Sequence, residues 1–154
     1  MVWANLVGNI FTKGLQGMNY QQLLDTIFTD FDNAHYDILC DVMMTSKQHA
    51  EKILAKYDTS NLTKEQFDQL KQLIVDREVK EFLEFVERHK DVLDSDMTDG
   101  EKFRVLFERC NNPYLTEKER TLLKKRIRRH IYDNEVCKIL SKLVDDLGLG
   151  KKKQ

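Results

Sequence analysis

Helix breakers are scarce in this chain, with one proline and six glycines among 154 residues. A strand-and-turn architecture needs such residues at short, regular intervals, so their scarcity argues against it and favours long helices. Cysteine is scarce too. Cys40, Cys110 and Cys137 form an odd set without CxxC spacing, which argues against a disulfide framework. No apolar run approaches the roughly 20 residues of a membrane span, and the first residues lack the basic-then-apolar layout of a signal peptide. The expectation is an intracellular, cytoplasmic protein. Asn61-Leu62-Thr63 matches the glycosylation sequon, but in that setting it reads as helix punctuation.

What is present suits a packed domain. Hydrophobic residues make up 41% and charged residues 33%, too apolar for a disordered chain. The length allows one core without staples. We therefore expect an all-α fold: a single-domain, irregular bundle of six or seven helices over residues 1–148. Residues 149–154 are expected to form a basic disordered tail containing Lys151, Lys152 and Lys153.

The net charge of −1 conceals an asymmetry. Residues 1–100 carry 10 basic against 18 acidic side chains, whereas residues 101–154 carry 15 against 8. Either the two ends complement each other, or the C-terminal part offers a basic surface to nucleic acid or an acidic partner.

Hydrophobic periodicity divides the chain into segments. In residues 2–15, Val2, Trp3, Leu6, Val7, Ile10 and Phe11 share one helical face, and Lys13 is the only charge before Asp25. Trp3, Ile10 and Phe11 are candidate contacts for the protein's own core, a protein partner or a second copy. Asn19 can cap a helix carrying Tyr20, Leu23, Leu24, Ile27, Phe28 and Phe31, with a break expected at Asp32 or Asn33. A longer helix is expected to run to about Tyr57, burying Ile38, Leu39, Val42, Met43, Ala50, Ile53 and Leu54. His35 and His49 lie near that face but are about 21 Å apart along a helix, too far to share a metal.

Three capping boxes mark helix starts: Thr63 with Gln66, Thr98 with Glu101, and Thr116 with Glu119. The first opens a helix reaching about Leu93, possible bend near Asp76, with Phe67, Leu70, Ile74, Val79, Phe82, Leu83 and Val86 inward. The second opens a short helix with Phe103, Leu106, Phe107 and Cys110 inward. The third opens Thr116–Tyr132. At about 100° per residue, its Leu122, Leu123, Ile127 and Ile131 form an apolar seam. Lys118, Lys124, Lys125, Arg128 and Arg129 fall on the other side, a stripe that could follow a phosphate backbone. Asp133 or Asn134 is expected to start a last helix carrying Val136, Ile139, Leu140, Leu143, Val144 and Leu147, capped by Gly148.

Motifs for catalysis or metal binding are lacking. Asp94–Gly100 resembles a calcium loop only superficially. Counted from Asp94, glycine falls at the seventh position and Val105 occupies the twelfth, where the loop needs glutamate. His130 and Cys137 are seven apart, a weak pairing for zinc, and His130 is expected to be packed and hydrogen-bonded. No glycine-rich phosphate loop or nucleophile elbow occurs. Catalytic residues, metal and cofactor are therefore all expected to be absent. Two function classes remain. One is a non-enzymatic RNA- or single-stranded-DNA-binding protein that uses the basic helix and tail. The other is a protein-interaction module (adaptor, inhibitor or assembly factor) acting through the N-terminal helix and the charge asymmetry.

Overall fold

The computed structural model describes residues 18–149. Among these the fold is all-α: eight helices and no strand. In chain order they are α1 (Tyr20–Phe28), α2 (Phe31–Ala34), α3 (Tyr36–Leu39), α4 (Ser46–Ala55), α5 (Lys64–Arg88), α6 (Lys90–Leu93), α7 (Asp99–Cys110) and α8 (Glu117–Asp146). Trp3, Ile10, Phe11 and Lys151–Lys153 lie outside the described residues.

Capping sets the starts of the longer helices. Asn19 accepts from the Gln22 backbone N–H while Gln22 returns a bond to the Asn19 N–H. The expected boxes at Thr63, Thr98 and Thr116 have the same reciprocal geometry. Gly148 ends α8 with φ of 68°, its N–H bonded to the Asp145 carbonyl and that of Leu149 to the Val144 carbonyl. This paired C-terminal motif needs a left-handed residue, which glycine supplies without a Cβ clash.

The breaks differ from those expected. The first falls at Thr29-Asp30, where Asp30 adopts the left-handed region at φ 54°. Its carboxylate accepts from Asn33 Nδ2 at 2.7 Å, the kind of local bond that lets aspartate occupy this region. The long helix expected up to Tyr57 is interrupted at residues 40–45, and Met43, expected inside, is 79% exposed. Thr45 and Gln48 form a further capping box that starts α4 afresh. Helix α5 passes Asp76 without a break and stops at Arg88, and its Val79 and Leu83 are exposed where burial was expected. The largest difference is at the C-terminal end. Asp133 and Asn134 start no new helix, because α8 continues through them for 30 residues.

Two compact units contain these helices. The first comprises the described residues up to Leu39 with Met43–Lys80, and the second comprises Cys40–Val42 with the residues from Glu81 onward. In the first, Leu23, Ile27 and Phe31 meet Ile53, Leu54, Leu70 and Ile74, all essentially inaccessible. Its two histidines are part of that core. His35 donates from Nδ1 to the Phe31 carbonyl at 3.0 Å, which leaves Nε2 to accept from the Tyr57 hydroxyl at 2.9 Å. His49 Nδ1 lies 2.6 Å from Glu78 Oε1, with both side chains buried. In the second unit, Val92, Leu93, Leu106, Ile127 and Ile131 form the core, flanked by Phe85, Phe103, Phe107 and Leu123.

Removing the Thr63 hydroxyl strips an N-terminal N–H of α5 of its acceptor. Thr63→Ala should therefore cost about 0.5–2 kcal/mol, read as a lower urea midpoint. An unchanged midpoint would show that the box carries no stability.

Candidate functional site

Helix α8 carries the residues with the strongest functional signal, and its environment changes along its length. In the first half, Leu123, Ile127, His130, Ile131 and Asn134 lie on the side packed into the second core. Of the expected basic stripe, Lys118, Lys125 and Arg128 are exposed and Lys124 is half-buried. The Lys124 ammonium stands 5.4 Å from the Phe107 ring centroid and the Arg128 guanidinium 4.8 Å from that of Phe103. Those two rings stack 5.9 Å apart, so the cations cover an aromatic pair on α7. Such contacts are worth about 0.5–1 kcal/mol each at exposed sites. Both residues therefore hold α7 against α8 as well as displaying charge.

Arg129 is not on an open stripe. It is 6% exposed and bonds through Nε to Asp133 Oδ2 at 3.2 Å. The helical wheel places it away from Leu123, Ile127 and Ile131 and on the side of Leu122, which does not share their face. There the Cys40 thiol comes within 3.9 Å of the Leu122 carbonyl, in the same packing unit.

Beyond Asn134 the apolar pattern changes side. At about 100° per residue, Val136, Ile139, Leu140, Leu143, Val144 and Leu147 span an arc of about 140°. The centre of that arc lies about 160° from the centre of Leu123, Ile127, His130, Ile131 and Asn134, and on the same side as buried Arg129. Because α8 is continuous, this second face turns away from the core. Ile139 is 59% exposed, Leu140 55%, Leu143 49%, Val144 40% and Leu147 68%. On the core side, Lys138 donates to the Leu93 carbonyl at 3.1 Å and pairs with Asp94 at 3.3 Å. That edge of α8 is attached; among the described residues, the apolar face stays exposed.

A small cleft of about 280 Å³ opens beside the first half of α8, lined by Glu81, Glu84, Phe85, Arg88, Arg126 and His130. Arg126 binds Glu81 across 2.6 Å. His130 packs on Phe85 at 4.3 Å between centroids and on Phe82 at 5.7 Å. It is packed as expected, but its buried Nδ1 has no hydrogen-bond partner. Burial, reinforced by Arg126, Arg129 and His89, pushes its pKa down to about 3. An imidazole held that low is a poor base near neutral pH.

Folding also brings together Cys110 and His89, a pair with no spacing signature in the sequence. The Cys110 sulfur lies 3.9 Å from His89 Nε2, and Arg109 Nη1 lies 3.5 Å from His89 Nδ1. Arginine can only donate, so Nδ1 accepts and the ring proton sits on Nε2, facing the sulfur. That tautomer cannot take the thiol's proton. Burial also pushes the Cys110 thiol up and the His89 imidazole down, the reverse of an activated pair. The Arg109 guanidinium is itself held by Asp91 through two hydrogen bonds, one of 3.0 Å.

Elsewhere, a groove of about 470 Å³ in the first unit is lined by Leu24, Asp25, Phe28, Thr29 and Leu73. Among the described residues no three His, Cys, Asp or Glu side chains converge as a metal site would require, and no helix is long and apolar enough to cross a membrane.

No protein-family model, curated protein or solved structure matches the chain.

The buried imidazoles make stability depend on pH. His130, His89 and His35 all have folded pKa values below the ordinary 6.5. Their contribution is complete above about 6.5 and declines as pH falls, because the unfolded chain then binds more protons. The melting temperature should drop between pH 6.5 and 4.5, and His130→Phe should flatten that limb. A wild-type melting temperature constant over the interval would contradict the buried neutral state.

Proposed function

We infer that this protein is a non-enzymatic interaction module that docks an apolar helical surface against the last three turns of α8. The observation supporting this reading is the bare face of Ile139, Leu140, Leu143, Val144 and Leu147. Single exposed apolar residues are common on protein surfaces, but a contiguous patch of several hundred Å² marks a contact site. The face is also pre-organised. Its helix is built and anchored by the other half of α8, so docking carries little of the ordering cost that a folding-on-binding segment would meet. The interaction partner that the sequence suggests for the N-terminal segment has a second candidate surface here.

Replacing Leu140 and Leu143 together by Glu should leave the melting temperature nearly unchanged, because neither side chain belongs to the core. The same change should sharply reduce the fluorescence of a dye that reports exposed apolar surface. A large fall in melting temperature would mean that the protein's own chain covers the face, and the reading would be lost.

Lys118, Lys125 and Arg128 support a second reading, binding to an RNA or single-stranded DNA backbone. Arg128 can grip a phosphate bidentately while the lysines act as point charges. The aromatic rings nearest them already carry the cations, so base stacking would contribute little and binding would be insensitive to sequence. Charge reversal at these three positions should weaken binding by similar factors across sequences and reduce its salt dependence. Failure of the wild-type chain to bind single-stranded RNA or DNA at about 50 mM salt removes this reading.

A further inference from the structure

We propose that the second unit is an acid-operated switch, opened when its two buried imidazoles, His89 and His130, take up protons while the first unit stays folded. Each unit buries two histidines, so the difference lies in what the rings touch. A protonated imidazole carries an N–H on both nitrogens and needs two acceptors. In the first unit acceptors are present. His35 Nδ1 already donates to the Phe31 carbonyl, and the Tyr57 hydroxyl beside Nε2 can rotate to accept. His49 Nδ1 lies 2.6 Å from a carboxylate oxygen of Glu78. The second unit is built differently. His130 Nδ1 is buried without a partner, and a proton placed there becomes an unsatisfied N–H. His89 Nδ1 lies 3.5 Å from the Arg109 guanidinium, so a proton on it sets donor against donor. Its Nε2 faces the Cys110 sulfur, a weak acceptor.

The surrounding charges act in the same direction. Helix α8 supplies Arg126 and Arg129 near His130, and α5 brings Glu81, Glu84 and Arg88 to the same cleft. Glu81 is committed to Arg126 and Asp133 to Arg129. Glu84 is exposed, where water and salt screen it. Around His89, Arg109 and Arg88 outweigh Asp91, which Arg109 holds. Phe85 touches both rings, 4.6 Å from the His89 centroid and 4.3 Å from that of His130. Charging both sets two cations against one ring, a strain that opening relieves. Both folded pKa values lie below the ordinary 6.5, that of His130 at about 3, so the closed form loses stability as pH falls below 6.5. Each such imidazole costs the closed state about tenfold per pH unit until its folded pKa is reached. His35 is lowered as well, but it brings one such factor to the first unit against two in the second. Opening separates α8 from Val92, Leu93 and Leu106 and uncovers Ile127 and Ile131, apolar surface hidden near neutral pH.

The test is hydrogen exchange of the full chain between about pH 7 and 4.5, read by mass spectrometry and corrected for the intrinsic exchange rate at each pH. Protection of peptides spanning 85–93, 102–110 and 123–134 should fall at least about tenfold further than that of peptides spanning 23–28, 50–54 and 66–75. His130→Phe takes up no proton and should remove about tenfold per pH unit from the second unit's loss, leaving the first unit's loss as it was. Proton NMR of the wild-type chain adds a reading that needs no variant: the His130 ring signal should keep its neutral position down to about pH 5. Equal loss in the two units, earlier loss in the first, or unchanged protection in the second overturns the proposal. So does a His130 signal that titrates near 6.5 in the folded protein, or a folded His130→Phe variant with the wild-type pH dependence. The wild-type measurements decide the outcome if His130→Phe fails to fold.

Discussion

The uninterrupted backbone of α8 across Asp133 and Asn134 is the constraint on which the rest of the second unit depends. The apolar pattern changes phase there, and a break would let the last three turns rotate their Leu and Ile side chains onto the core. Continuing a helix adds one hydrogen bond per residue fixed, whereas restarting it requires a new nucleus. Local contacts also favour continuation: Arg129 holds Asp133 one turn later, and Asn134 is buried in the helix flank. With the backbone continuous, the second apolar face has to point away from the first. Its exposure is thus a consequence of helix geometry acting on a two-phase sequence.

Ion pairing within the second unit accounts for part of the charge asymmetry. Arg109 meets Asp91, Arg126 meets Glu81, and Lys138 meets Asp94. In each pair the cation comes from the basic C-terminal third and the carboxylate from the acidic residues before position 100. Lys102 goes further: it is buried and reaches Glu135 at 3.4 Å. A buried ammonium costs more than its pairing returns unless the partner is well placed, so a buried pair of this kind is weak evidence for stability. The basic surface left for other molecules is smaller than the residue count suggests. Arg129 is withdrawn from it, and Lys124 and Arg128 are partly engaged with aromatic rings.

Helix starts were legible because a capping box is a local motif: a hydroxyl or amide and a Gln or Glu three positions later satisfy two orphan N–H groups by themselves. The boxes at Thr63, Thr98 and Thr116 and the glycine cap at Gly148 were all readable for this reason. The box at Thr45 and Gln48 has the same form but was hidden inside an apolar pattern that continued through it. Breaks were less legible. Asp30 carries no glycine-like signal, and its left-handed backbone depends on a side-chain bond to Asn33 that competes with helix only in context. The candidate site was half legible for a related reason. Periodicity correctly separated Ile127 and Ile131 from the lysines, but it could not show that the Cys40 segment would return over the Leu122 side of α8. The meeting of Cys110 with His89 depends on nonlocal packing in the same way.

Histidine illustrates how that packing decides chemistry. All four histidines, His35, His49, His89 and His130, are buried. His35 uses both ring nitrogens internally, His49 faces Glu78, His89 is set as an Nε2 donor by Arg109, and His130 packs against two phenylalanines. The residue type best suited to proton transfer near neutral pH is therefore committed to the interior. The carboxylates that might replace it are largely exposed, and some are held low by cationic partners, as Asp91 is by Arg109. What remains accessible is surface: three cations at the start of α8 and an apolar face at its end. Surfaces of those two kinds recognise other molecules by charge and by burial. The apolar face has the stronger physical reason to be covered, since each exposed Leu or Ile gains about 1.5–3 kcal/mol when fully buried, whereas an exposed lysine is already well served by water.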